Sequence, residues 1–153
     1  MILTQEIQRF VLDQRLGFVA TVRPDGSPNL SPKGTTIVWD DEHLMFADVA
    51  SPQTVANLRE QSAVEINVVD PIIRKGYRFR GTGEVHQDGP AYERGIELLR
   101  AQGSTLARDR IRSIVVVAVS EVDTLVSPAY DGGATEADIR RRWLDHFVGL
   151  HGG

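Results

Sequence analysis

Gly17-Phe18-Val19-Ala20-Thr21-Val22 runs into Pro24-Asp25-Gly26-Ser27, and the chain resumes as Pro28-Asn29-Leu30-Ser31-Pro32-Lys33-Gly34. The first piece reads as a strand to about Arg23. The Pro-Asp-Gly-Ser run is a turn, because proline presets φ and glycine accepts φ > 0. The third piece is a second extended segment. Upstream, Thr4 is placed to cap a helix with Glu6 in its first turn and Ile7, Phe10 and Val11 on one face. Downstream, Thr35 to Trp39 reads as a strand, Asp40-Asp41-Glu42 as a turn, and His43 to Val49 as the partner strand. A helix followed by a β-meander is the expected first third.

Ser51-Pro52 opens the next helix, since serine caps well and proline suits the first helical position. Val55, Leu58 and Ala63 form its expected buried stripe. Val64, Ile66 and Val68 then alternate with Glu65 and Asn67, and Tyr77, Phe79 and Val85 alternate with Arg78, Arg80, Thr82, Glu84 and His86. Period two suits antiparallel strands with one face in a core. Gly81 and Gly83 in the second apolar row point to a bend or a close approach. Pro90 opens a helix carrying Tyr92, Ile96 and Leu99, which Gly103 ends. Ile111 to Val119, β-branched and apolar, reads as a buried strand. Thr135 with Asp138 forms a capping box for a last helix carrying Ile139, Trp143 and Phe147. Six or seven strands with short helices between them predict a mainly β protein, a small barrel with helical caps, as one domain over residues 1–153.

Composition narrows the chemistry. The 153 residues are 41% hydrophobic and 25% charged, an ordinary globular balance. There is no cysteine, which excludes disulfides, thiolate metal sites and a cysteine nucleophile. The net charge of -4 gives no general attraction to nucleic acid or anionic membranes. The longest apolar stretch, Ile114 to Val119, is too short to cross a bilayer, and Met1 to Glu6 shows no signal-peptide pattern, so the expectation is a cytoplasmic protein. The four histidines, His43, His86, His146 and His151, lack metal-ligand spacing, and no serine sits in a G-x-S-x-G elbow.

Three segments can carry chemistry, and each has a plain alternative. Ser31-Pro32-Lys33-Gly34-Thr35 aims a lysine between two strands beside a glycine that admits a ligand, or it is a surface turn with a solvated lysine. Asp48-Val49-Ala50-Ser51-Pro52-Gln53-Thr54 leads a strand into a helix N-terminus, a seat for phosphate, or it is an ordinary capped helix. Arg74, Lys75, Arg78 and Arg80 either meet phosphate or pair with Glu65 or Glu84 on neighbouring strands. Trp143 either continues the apolar stripe from Ile139 to Phe147 or covers a ligand.

The order of these segments resembles the pyridoxamine-phosphate-oxidase-like family. The resemblance rests on Gly17 to Val22, on Pro24 to Gly34, on Asp48 through Leu58 as the strand-to-helix phosphate segment, and on Tyr77 to Val85 as the glycine strand. It implies a six-stranded antiparallel split β-barrel and a homodimer with FMN in the cleft between subunits. By position, Ser31, Pro32, Lys33, Gly34 and Thr35 line the flavin and its phosphate. Ala47 and Asp48 lie against the ring, and Ser51, Gln53 and Thr54 hold the phosphate. The family commonly carries a lysine where this chain has Gln53, and Arg80 and Lys33 are the candidate replacement cations. Lys75-Gly76 stands where the family often has Arg-Gln, and the oxidase's C-terminal tryptophan and arginine set is absent, although Trp143 follows Arg140, Arg141 and Arg142. Vitamin B6 oxidation is therefore not expected. The resemblance implies a flavin-dependent oxidoreductase acting on a small molecule. Two alternatives stand beside it: a deazaflavin-dependent reductase, and a non-enzymatic flavin store or haem binder using His43, His86 or His146.

Overall fold

The computed structural model describes residues 1–152. Seven strands form one antiparallel sheet in the order β2-β1-β5-β6-β7-β4-β3. They are β1 (Gly17–Val22), β2 (Pro28–Lys33), β3 (Ile37–Asp40), β4 (His43–Asp48), β5 (Ala63–Asp70), β6 (Lys75–His86) and β7 (Ser113–Val126). Among the described residues four α-helices accompany them: α1 (Gln5–Gln14), α2 (Pro52–Glu60), α3 (Gly89–Ala101) and α4 (Glu136–His151). The fold is the expected split barrel, with one correction of count. Six strands were implied and seven are present, because β1–β2 and β3–β4 are both complete hairpins and β5, β6 and β7 add three more.

The turn that decides the first hairpin forms as its residues dictate. Gly26 takes φ 87°, the Arg23 and Ser27 backbones close the loop, and the Asp25 carboxylate accepts both the N–H and the hydroxyl of Ser27. Later in the chain, β6 shifts register between Arg80 and Gly81 against β7, where a Cβ on residue 81 would run into the Ala118 carbonyl. That bulge bends the long β6–β7 ribbon so that it serves both halves of the barrel.

Two apolar clusters follow from strand alternation. Val19, Leu44, Phe46, Ile66, Val68, Phe79, Val115 and Val117 fill the barrel, and Val55 and Leu58 of α2 close one end of it. On the other side of β4 and β7, Met45, Ala47 and Ile114 pack against Tyr92, Ile96 and Leu99 of α3. Each such fully buried aliphatic side chain contributes about 1.5–3 kcal/mol. β4 is buried on both faces because it stands between the two clusters.

Helix ends show where local rules held. The Thr4 hydroxyl accepts the Ile7 N–H, and Thr135 and Asp138 form the expected capping box. Ser51 departs from expectation. Its φ and ψ of -128° and 64° turn the hydroxyl away from any capping bond. Ala63 leaves the α2 stripe and opens β5 as an exposed residue, and the strand expected from Thr35 begins at Ile37. On α4 only Ile139 is buried, while Leu144 and Val148 are exposed.

Candidate functional site

The first two candidate segments converge. Lys33 ends β2 on its inner face with 6% exposure, and its ammonium lies 6.0 Å from the centre of the Phe46 ring. No carboxylate lies within salt-bridge distance of it among the described residues. Burial pushes the Lys33 pKa below its ordinary value, and the negative charge of nearby Asp48 offsets part of that push. Asp48 is itself buried, and its carboxylate accepts the Ser51 N–H at 2.9 Å. Thr35 fastens the β2–β3 turn to the end of β4. Its hydroxyl accepts the Ala47 N–H at 2.9 Å and donates to the Ala47 carbonyl at 3.4 Å. Lys33, Thr35, Ala47, Asp48 and Ser51 therefore form one connected group. Ser31 shares the inner face of β2 with Lys33, and Pro32 lies on the exposed outer face. Above Gly34 there is open space, since a Cβ there meets nothing nearer than the Arg15 carbonyl at 4.0 Å.

The N-terminus of α2 adjoins this group. Its first N–H groups have no serine cap, and the hydroxyl of Thr54, a residue with 1% exposure, has no hydrogen-bond partner. An uncapped helix N-terminus carries unsatisfied N–H groups and partial positive charge. Gln53 is already engaged. Its amide donates to the Asn57 side-chain oxygen at 2.6 Å, and the Asn57 amide donates to the Thr21 hydroxyl at 3.0 Å. The sequence reading missed Asn57, Thr21 and Ser113, all buried polar residues. The signal for Asn57 was a polar residue two positions after Val55, next to Leu58 on the buried stripe.

Other candidates lie elsewhere. Arg80 is on the outer face of the sheet, with its guanidinium on the Glu65 carboxylate and a longer contact of 3.4 Å to Glu121. It lines a mainly apolar concavity of about 420 Å³ with Ala20, Val22 and Pro28. The Trp143 indole is covered by the Arg74 guanidinium, 3.6 Å from the ring centre. His43 and His86 each meet a carboxylate, Asp40 at 2.7 Å and Glu84 at 3.3 Å, and both line a groove of about 520 Å³ beside Trp39. His146 is on α4 against Trp143, so the three histidines do not converge. Among the described residues, no group of three or more His, Cys, Asp or Glu is arranged to hold a metal ion. None of the helices described is long and apolar enough to cross a membrane.

Comparison with known proteins fits this architecture. HupZ of Group A Streptococcus superposes with a TM-score of 0.71 at 30% identity, covering 81% of this chain and 94% of that one. An F420 reductase superposes at 0.62 with 26% identity, covering 78% and 98%. An FMN-binding protein from Syntrophomonas wolfei shares the fold at a TM-score of 0.63 and 14% identity, covering 80% and 86%. No curated protein matches the sequence. A family profile described as pyridoxamine 5'-phosphate oxidase matches residues 3–126, which spans β1 through β7 and the whole connected group around Lys33. The chain belongs to the pyridoxamine 5'-phosphate oxidase family.

Proposed function

We propose that this protein binds FMN at the Lys33–Asp48–α2 group and acts as a flavin-dependent oxidoreductase on a small molecule. One observation carries the reading. A buried lysine without a carboxylate partner, an uncapped helix N-terminus and an orphaned buried hydroxyl on Thr54 stand together. A phosphate dianion suits all three, because it accepts from N–H and O–H donors and neutralises the ammonium.

In this reading Lys33 and the N–H groups of the first α2 turn face the phosphate, with Ser51 and Thr54 adding hydroxyl donors. Gly34 leaves room for the ring to approach the backbone, and the end of β4 runs beside it at Ala47, whose side chain is buried against α3. Thr35 holds these two walls at fixed separation through its bonds to Ala47. Gln53 acts on α2 through Asn57 rather than on the phosphate. FMN, when bound, supplies the hydride and electron chemistry, and the protein positions it. The cleft is completed by a second copy of the chain. The outer sheet face exposes Phe18 and Leu30, at 39% and 67%, and it also carries Arg80. Within one chain Trp143 lies under the Arg74 guanidinium.

Deazaflavin is the second reading, supported by the likeness to an F420 reductase and by the absence of a lysine at position 53. A visible absorption spectrum of the freshly purified protein, with mass spectrometry of what heat releases, separates the two. Released FMN with bands near those of oxidised flavin supports the first reading. Released deazaflavin supports the second, and a protein that stays colourless with either cofactor added contradicts both.

A further inference from the structure

The cations of residues 74–80 divide into two sets. Arg80 is neutralised by Glu65 and Glu121, and Arg78 turns to the Asn67 side chain at 3.4 Å. Arg74 and Lys75 have no carboxylate within salt-bridge distance among the described residues. They rest on aromatic rings instead. Arg74 lies 3.6 Å from the centre of Trp143, Lys75 lies 4.6 Å from that of Tyr130, and Arg142 approaches Trp143 at 5.5 Å. These residues meet at the corner where the β5–β6 turn touches the C-terminal segment.

Two features set this corner apart from ordinary surface charge. Arg74 adopts the left-handed conformation, with φ 59°, which disfavours any residue bearing a Cβ. The turn is clamped in place: the Arg74 N–H donates to the Asp70 carbonyl, Ser127 N–H donates to the Arg74 carbonyl, and the Tyr130 hydroxyl donates to the Ile73 carbonyl at 2.7 Å. In addition, the Arg74 Nε is buried without a hydrogen-bond partner. Stacking occupies the face of a guanidinium and leaves its edge donors free for an anion. Asp70, the nearest carboxylate in the turn, is engaged by the N–H groups of Ile72 and Ile73.

We infer that Arg74, Lys75 and Arg142, held on Trp143 and Tyr130, form a second anion site that takes the dianionic phosphate of a phosphomonoester. Three unpaired cations match a dianion better than a single carboxylate. The inference stands apart from the cofactor reading, because it uses none of the residues around Lys33. The phosphate belongs to a molecule other than the cofactor, and titration at saturating FMN checks this.

The protein is titrated with inorganic phosphate by calorimetry, with and without saturating FMN, and the fluorescence of Trp143 is followed in parallel in a Trp39→Phe background. Saturable binding that persists with FMN present is expected. Arg74→Gly, which suits the left-handed backbone, and Arg142→Gln each weaken it about tenfold or more, the scale of one charge-assisted hydrogen bond. Arg9→Gln, which removes a cation from the exposed Arg9–Asp13 pair, leaves it unchanged. Affinity that is insensitive to both Arg74→Gly and Arg142→Gln overturns the proposal. So does absence of saturable binding, or displacement of phosphate by FMN.

Discussion

Lys33 is costly to the protein on its own and useful only with a partner. Burial disfavours its ammonium, so the native pKa lies below the ordinary lysine value of 10.5. Between that depressed value and 10.5 the unfolded chain holds a proton that the native chain lacks, so stability rises as pH rises through this window. Replacing Lys33 with methionine should therefore raise the melting temperature of the cofactor-free protein at pH 7 by a few degrees, measured by calorimetry. A lower melting temperature would contradict this account of the residue. Cofactor affinity should move the other way across the same window, falling as the ammonium loses its proton. Around this residue the sequence was partly legible. The order Ser31 to Thr35 and Asp48 to Thr54 placed the right segments together. What Gln53 does was not legible, because its fate depends on Asn57 one helical turn later and on Thr21 from a distant strand. Arg80 was undecided for a similar reason. Its partner Glu65 is directly opposite only in the observed β5–β6 register.

At the scale of elements, α2 is fixed to β1 by the chain Gln53–Asn57–Thr21. Asn57→Leu leaves the buried Thr21 hydroxyl without its donor and the exposed Gln53 amide without its acceptor. The expected loss is about 1–3 kcal/mol in chemical denaturation. An unchanged midpoint would mean that the two bonds carry no net stability. α4 is held more lightly, with only Ile139 buried, so its start depends on its cap. Thr135→Ala should cost about 1 kcal/mol locally, seen as faster amide exchange in the first turn of α4. Both Thr4 and Thr135 were readable from sequence, since a threonine before an apolar stripe acts within four residues of itself. Ser51 was not, since the Asp48 carboxylate that takes its N–H comes from the preceding strand and its hydroxyl makes no capping bond.

For the whole molecule, the barrel followed from period-two patterning in β5 and β6 and from the turn at Pro24 to Ser27. The length of β7 did not, since its second half, after Val119, loses the apolar run and continues only because β6 pairs with it to Val126. The outer face that carries Phe18 and Leu30 leaves apolar surface uncovered. Phe18→Asp combined with Leu30→Asp should convert a dimer to a monomer in light scattering, with the barrel's circular dichroism unchanged. A parent protein already monomeric at micromolar concentration would contradict the two-copy cleft. The cofactor claim is tested most directly by quenching of FMN fluorescence on titration with the parent protein and with Lys33→Met. Saturable quenching by the parent, weakened about tenfold or more by Lys33→Met, is expected from the loss of one charge-assisted contact to phosphate. Equal affinity in the two proteins, or no quenching by the parent, would contradict it.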